Sequence, residues 1–145
     1  MGVDQAVFLR IDTTNSAPYL EGEHGKIVAD ALLKTHRQNW FKLIGFVVLP
    51  AEVQVLFIPR FKAINDLLAF LEIEVRPHIT ALPSDAARLF DPDIYREKVD
   101  SSEEVQQRLR WMHLAPVRAR LITMYEAYPY SSANAQYKNQ ITSLY

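Results

Sequence analysis

The chain of 145 residues contains no cysteine, which excludes disulfides, thiolate metal ligands and a cysteine nucleophile. Glycine is also scarce, since only four occur and none belongs to a glycine-rich phosphate loop. A basic excess is absent too, because 16 Lys and Arg stand against 17 Asp and Glu for a net charge of −1. Proteins dedicated to nucleic acids usually carry such an excess, so any such binding here would have to come from local patches.

Long apolar runs are missing as well. No stretch of about 18 apolar residues occurs, so we expect no membrane span. The first residues lack a basic segment followed by an apolar one, so no signal peptide is predicted and a cytoplasmic location is expected. The apolar fraction of 49% and the charged fraction of 23% are typical of a globular protein. We predict one domain over residues 1–145, with a loosely ordered end from about residue 134.

The strongest structural pattern is an apolar hairpin over residues 41–60, with a tight turn at residues 49–51. Its first strand is almost continuously apolar, which favours a strand at the centre of a sheet. The second strand alternates, so Glu52 and Gln54 lie on one face about 7 Å apart. Polar side chains at this place are explained either by a wet groove or by a functional site.

The rest of the chain alternates between helical and strand patterns. The predicted order is β-α-β-β-α-β-α, which indicates an α+β domain of the ferredoxin-like or RRM-like class. The sheet would be mainly antiparallel with helices on one face, and the other face would be free for a ligand or a second subunit. The predicted segments are a strand at 5–14, a helix at 22–39, the hairpin, a helix at 61–79, a strand at 94–99, a helix from 101 to about 114, and a short helix at 117–121.

Few residues suggest chemistry by spacing alone. No nucleophile-elbow motif is present, and the four histidines show no metal-ligand spacing. Trp111 lies on the third predicted helix, where burial in a core or an interface is the ordinary role. A basic cluster surrounds Pro116 and is either an anion site or a solvated face; it consists of Arg108, Arg110, Arg118 and Arg120.

Three motifs resemble those of the single-tyrosine HUH transposases, which include the REP-associated tyrosine transposases. The stretch LIGFVVLPAEVQVLF resembles the central hairpin of that family. The stretch SSEEVQQRLRWMHLAPVRARL resembles its late helix, and YEAYPYSSANAQY resembles its closing segment. The motifs occur in the family's order and spacing, and the resemblance extends over nearly the whole chain.

The resemblance implies a function in DNA transposition. Members of the family cleave and rejoin single-stranded DNA, and a tyrosine attacks the scissile phosphate. Two histidines of the central hairpin hold a divalent metal, and a polar residue one turn after the tyrosine is the third ligand. Members work as dimers, and many recognise DNA hairpins. The resemblance therefore implies single-stranded or hairpin DNA and a second copy of this chain as partners, and no membrane.

This sequence departs from the family at each chemical position. Glu52 and Gln54 stand at the two histidine positions, and Trp111, which has no hydroxyl, stands at the tyrosine. Ala115 stands at the third ligand position. No intact catalytic residue remains, so we predict an inactive relative without a metal. Only if Glu52 and Gln54 still act as ligands would a hard ion such as Mg²⁺ or Mn²⁺ be held.

Three functional hypotheses remain open from the sequence. The first is a DNA-binding module that uses the groove near Glu52 and the basic cluster around Pro116. The second is a folded dimeric remnant or protein-interaction domain without a nucleic-acid role, for which the overall acidic balance argues. The third is an active enzyme with an altered metal site and a different tyrosine, for which Tyr95, Tyr125 and Tyr128 are the candidates.

Overall fold

A computed structural model describes residues 5–142 of the chain. Their centre is one antiparallel sheet of four strands in the order β2-β3-β1-β4. The strands alternate in direction, so β1 and β2 run parallel with β3 between them. The strands are β1 Ala6–Asp12, β2 Phe41–Leu49, β3 Glu52–Pro59 and β4 Tyr95–Val99. The α+β fold class and the predicted element order are confirmed.

The helices begin and end close to the positions that the sequence predicts. Ser101 is the N-cap residue of the third helix, and its side chain accepts a hydrogen bond of 3.1 Å from the Glu104 amide. Pro116 lies in the first turn of the fourth helix, where a missing N–H costs nothing. The helices are α1 Glu23–Arg37, α2 Ile64–Val75, α3 Ser102–His113 and the short α4 Ala115–Arg118.

Helices α1 and α2 cover one face of the sheet. Their apolar sides pack on inward-facing side chains of β1, β2 and β3, including Leu9, Phe46 and Val55. The last turn of α1 carries basic side chains, which interact favourably with the negative end of the helix dipole. This layer holds the larger of the two cores.

The opposite face is covered as well, which corrects the prediction that helices lie on one face only. Val105, Leu109 and Met112 of α3 pack there on a second apolar core that includes Phe8 and Leu56. The physical reason lies in β2, where every residue from 43 to 49 is buried and both faces therefore need a covering layer. Only the end of this face near Glu52 stays polar.

The segment after α4 packs against the edge strand β2. Val48 donates to Tyr130 O at 2.8 Å, and the Ser132 amide donates to Phe46 O at 2.9 Å. Tyr137 is only 3% exposed, so this segment packs on the fold at that residue, while the loose order predicted from about residue 134 stays a prediction. The Tyr137 ring meets Phe46 edge-on with a centroid distance of 5.0 Å, and apolar burial holds the segment down. Residues 143–145 lie outside the described part.

Candidate functional site

Glu52 and Gln54 lie side by side on the α3 face of β3, as the alternation predicts. The Gln54 amide nitrogen donates to a Glu52 carboxylate oxygen at 2.8 Å. Arg10 of β1 and Val47 of β2 are the cross-strand neighbours of Gln54. Gln54 is 2% exposed, and its side-chain oxygen has no hydrogen-bond partner among the described residues. The wet groove expected at this position is therefore closed over Gln54, although Glu52 stays partly exposed.

Trp111 lies above this end of the sheet in a stack of rings and guanidinium groups. The Arg108 guanidinium carbon is 4.6 Å from the Phe8 ring centroid and 5.0 Å from that of Trp111. The Arg118 guanidinium carbon is 4.2 Å from the Trp111 centroid. Such contacts are favourable because a cation is attracted to the face of an aromatic ring. Trp111 is 41% exposed, so the stack borders solvent.

Each arginine at this end has a carboxylate close by. Arg10 is 3.8 Å from Asp12, and Arg108 is paired with Glu97. Arg118 lies close enough to Glu52 for that carboxylate to raise its pKa, against a larger lowering by partial burial. The surface formed by these three arginines, three carboxylates, Gln54, Tyr95 and Trp111 is named the polar end of the sheet below. Its charges balance, so its attraction for a phosphate backbone is weak.

The basic cluster around Pro116 does not form one patch. Arg108 and Arg118 meet on Trp111, whereas Arg110 is two residues further along α3 and therefore on another side of the helix. Arg120 follows α4 with a positive φ of 60° and is exposed. Arg10 and Glu97 join the polar end although the sequence analysis did not select them. The signal was available, because Arg10 shares a β1 face with Phe8 in a period-two pattern.

The three alternative tyrosines lie at different places. Tyr95 lies on β4, which β1 separates from the Glu52–Gln54 pair on β3, and its hydroxyl donates to Glu97 at 2.8 Å. That hydrogen bond raises the pKa of Tyr95. Tyr128 donates to Val48 O at 2.6 Å, and burial raises its pKa to about 12. A higher pKa makes the phenolate nucleophile scarcer, so both environments disfavour attack on a phosphate.

The two glutamates of α2 act within the fold. Glu72 accepts hydrogen bonds from the amides of Leu89 at 3.0 Å and Phe90 at 2.8 Å. Glu74 is paired with Lys34 of α1 at 2.6 Å. Glu72 therefore holds the loop before β4, and Glu74 joins α2 to α1.

The residues at the three metal positions do not fit a divalent cation. Mg²⁺ and Mn²⁺ take about six oxygen ligands in a compact shell. Glu52 offers a carboxylate, but the Gln54 amide turns its nitrogen toward it, and Ala115 offers a methyl group. Arg118 adds a positive charge beside Glu52. Within residues 5–142, no three His, Cys, Asp or Glu side chains are grouped to hold a metal ion. That no metal is bound stays a prediction.

Comparison with known proteins shows the fold. Neither a protein-family model nor a curated protein matches the chain. The solved structure of a REP-associated tyrosine transposase bound to a REP hairpin matches 98% of this chain and 85% of that chain, with a TM-score of 0.72 and 12% identity. A Deinococcus radiodurans R1 protein provisionally classed as a transposase matches 73% of this chain and 87% of its own, with a TM-score of 0.53 and 18% identity.

These likenesses confirm the fold that the sequence motifs imply, that of a tyrosine transposase. The match with the REP-associated protein includes almost the full length, so it contains β3, α3 and the closing segment together. No helix within residues 5–142 is long and apolar enough to cross a membrane.

Proposed function

We propose that this chain is a transposase-family protein that binds single-stranded or hairpin DNA and no longer cleaves it. The likeness to a transposase that is bound to a REP hairpin supports the choice of DNA partner. One observation carries the loss of cleavage: Trp111, held between Arg108 and Arg118, stands where the family places its nucleophilic tyrosine. An indole ring has no hydroxyl that could attack a phosphate.

The state of Glu52 and Gln54 supports the same proposal. In the family these positions hold the metal that polarises the phosphate, and here they hydrogen-bond to each other. A tyrosine placed nearby would therefore lack both the Lewis acid and the orientation that it supplies. We propose that no divalent metal is needed for DNA binding by this chain. Arg108 and Arg118, and with them Arg110 and Arg120, stay the sequence-predicted candidates for contacts to DNA.

The experiment is a titration of a labelled single-stranded hairpin with the purified chain, in Mg²⁺, in Mn²⁺ and in EDTA. The products are separated on a native gel and on a denaturing gel. We expect a shifted band on the native gel that weakens with salt and is unchanged by EDTA. No band should survive denaturation. A denaturation-stable adduct would contradict the loss of cleavage, and substitution of Tyr95 by Phe would then show whether that residue forms it.

A folded remnant or protein-interaction domain is the second candidate. The charge balance of the polar end favours it, since Arg10, Arg108 and Arg118 each face a carboxylate. It predicts no shift of hairpin or linear single-stranded DNA even at low salt. The same titration therefore separates the two candidates, and an absent shift in EDTA and in both metals would replace the first by the second.

A homodimer and a cytoplasmic location are also part of the proposal. The central hairpin is covered on both faces and along its β2 edge, so it does not offer a pairing surface. Strand β4 is the other edge of the sheet and is the place where a second copy would pair. Light scattering of the purified chain tests the dimer, and cell fractionation tests the location.

A further inference from the structure

The second polar surface of the molecule lies at the opposite end of the sheet. Seven residue steps of β3 separate Glu52 from Pro59, which is about 23 Å at the rise of a strand. At that end a groove of about 590 Å³ opens where α1 ends, β2 begins and β3 ends. We call it the basic groove; its lining residues are His36, Asn39, Lys42, Arg60, Phe61 and Thr142.

The charge of this region differs strongly from that of the whole chain. Between Asp30 and Asp66 the sequence contains five Lys or Arg side chains and a single carboxylate, Glu52, which lies at the far end of β3. Lys34 is paired with Glu74. Lys42 and Arg60 line the groove, Arg37 is close enough to act on the groove residue His36, and Lys62 directly follows Phe61 in the chain. The whole chain has a net charge of −1, but this region of it carries a concentrated positive charge.

The pKa of His36, which lines the groove, indicates the same positive surroundings. His36 Nδ1 accepts a hydrogen bond of 3.0 Å from the Leu43 amide, so the ring is held in place. Its pKa is lowered first by burial, and then by the positive charges of Lys42 and Arg37. Two cations therefore lie near enough to His36 to act on it. Neither of them has a carboxylate partner among the ion pairs found in residues 5–142.

Aromatic side chains accompany the cations. Phe61 is 76% exposed, the largest exposed fraction among the large apolar side chains of the described chain. The Lys62 ammonium lies 5.4 Å from the Trp40 ring centroid. The backbone that carries these residues is fixed, because the amides of Arg60 and Phe61 both donate to Trp40 O, at 3.1 and 3.2 Å. An exposed aromatic ring thus lies in the same groove as Lys42 and Arg60, on a turn that backbone hydrogen bonds hold in place.

We propose that the basic groove binds single-stranded DNA, with Arg37, Lys42 and Lys62 against the phosphates and Phe61 stacked on a base. Single-strand sites combine a positive channel for the backbone with aromatic rings for the bases, and both elements are present here. The groove needs no metal. The inference rests on the proposed function and assigns its contact surface, which the charge-balanced polar end does not supply.

The test is fluorescence anisotropy with a labelled oligothymidylate of about 12 nucleotides, within the usual size of single-strand sites. In the groove variant, Arg37, Lys42 and Lys62 are each changed to Gln. We expect its plot of log affinity against log salt to be shallower than that of the unchanged chain by about 2, since each phosphate contact contributes about 0.7. The matched control removes three exposed cations elsewhere, Lys26→Gln, Arg88→Gln and Lys138→Gln, and should keep the slope of the unchanged chain.

A second oligonucleotide, which lacks bases, tests whether Phe61 stacks on a base. Phe61→Ala should weaken binding of oligothymidylate by roughly tenfold, which lies within the usual range for one stacked base, and leave an abasic strand of equal length unaffected. A general polyanion site would respond equally to both strands. Circular dichroism checks the fold of the groove variant, and the exposed single change Lys62→Gln replaces it if the triple change unfolds the chain.

The outcomes separate the two proposals. If the groove and control variants keep the same affinity and slope, while Arg108→Gln with Arg118→Gln abolishes binding, the groove is refuted and DNA binding stands at the polar end. Equal loss of both strands on changing Phe61 also refutes the stacking. If the unchanged chain binds neither strand at low salt, the proposed function and this inference both fail.

Discussion

Acidification should destabilise this protein through His113. His113 Nε2 lies 2.8 Å from Ser132 Oγ, and that hydroxyl also accepts from the Phe46 amide at 3.0 Å. The contact therefore joins the end of α3 to β2 through the closing segment. Burial lowers the pKa of His113 from 6.5 to about 4.

The direction in which stability changes with pH follows from the protonation of His113 in the folded and in the unfolded chain. In the unfolded chain His113 takes up a proton near pH 6.5, whereas in the folded chain it does so only near pH 4. Between these values the unfolded state holds more protons, so the contribution of His113 to stability is fully present above pH 6.5 and is lost as the pH falls toward 4. The full loss is about 3 kcal/mol, and about 2 kcal/mol of it should be reached by pH 5.

The assay is urea unfolding at pH 7 and at pH 5, followed by tryptophan fluorescence. His113→Gln keeps a side-chain amide that can hydrogen-bond to Ser132 but cannot be charged, so its free energy of unfolding should fall by about 2 kcal/mol less over this interval. His78→Gln, at an exposed position, is the matched control and should behave as the unchanged chain. A parallel fall of all three curves would refute the reasoning.

Three further predictions concern the core and the polar end. Gly45→Ala should destabilise the chain by roughly 1–3 kcal/mol in urea unfolding, because the new Cβ would clash with Leu109 Cδ1 on α3; an unchanged midpoint would contradict this packing. Tyr128→Phe should cost about 1 kcal/mol in the same assay, since Val48 O loses its 2.6 Å donor, and a loss below a few tenths would show that water replaces it. Trp111→Tyr restores a hydroxyl without metal ligands, so no denaturation-stable DNA adduct should form with Mn²⁺; an adduct would mean that the Glu52 side chain still supports cleavage.

Sequence reasoning was most reliable where a single strand or helix was sufficient to place the residues. The alternation in β3 correctly placed Glu52 beside Gln54, and the helix predicted from residue 101 begins within one residue of the start of α3. It was less reliable for Arg108 and Arg110, which are close in sequence but lie on different sides of α3. Closeness along a helix does not make a shared surface unless the separation is three or four residues.

By itself, the sequence determined the strands, the helices and the residues that share each face, because these follow from local periods of 2 and 3.6 residues. It also determined the loss of a hydroxyl at position 111. Only the tertiary structure decided that α3 covers the second face, since β2 is apolar on both sides and its pattern does not identify the covering layer. It alone paired each arginine of the polar end with a carboxylate and placed Lys42 and Arg60 in one groove with Phe61, because those contacts join residues from strands and helices far apart in the chain.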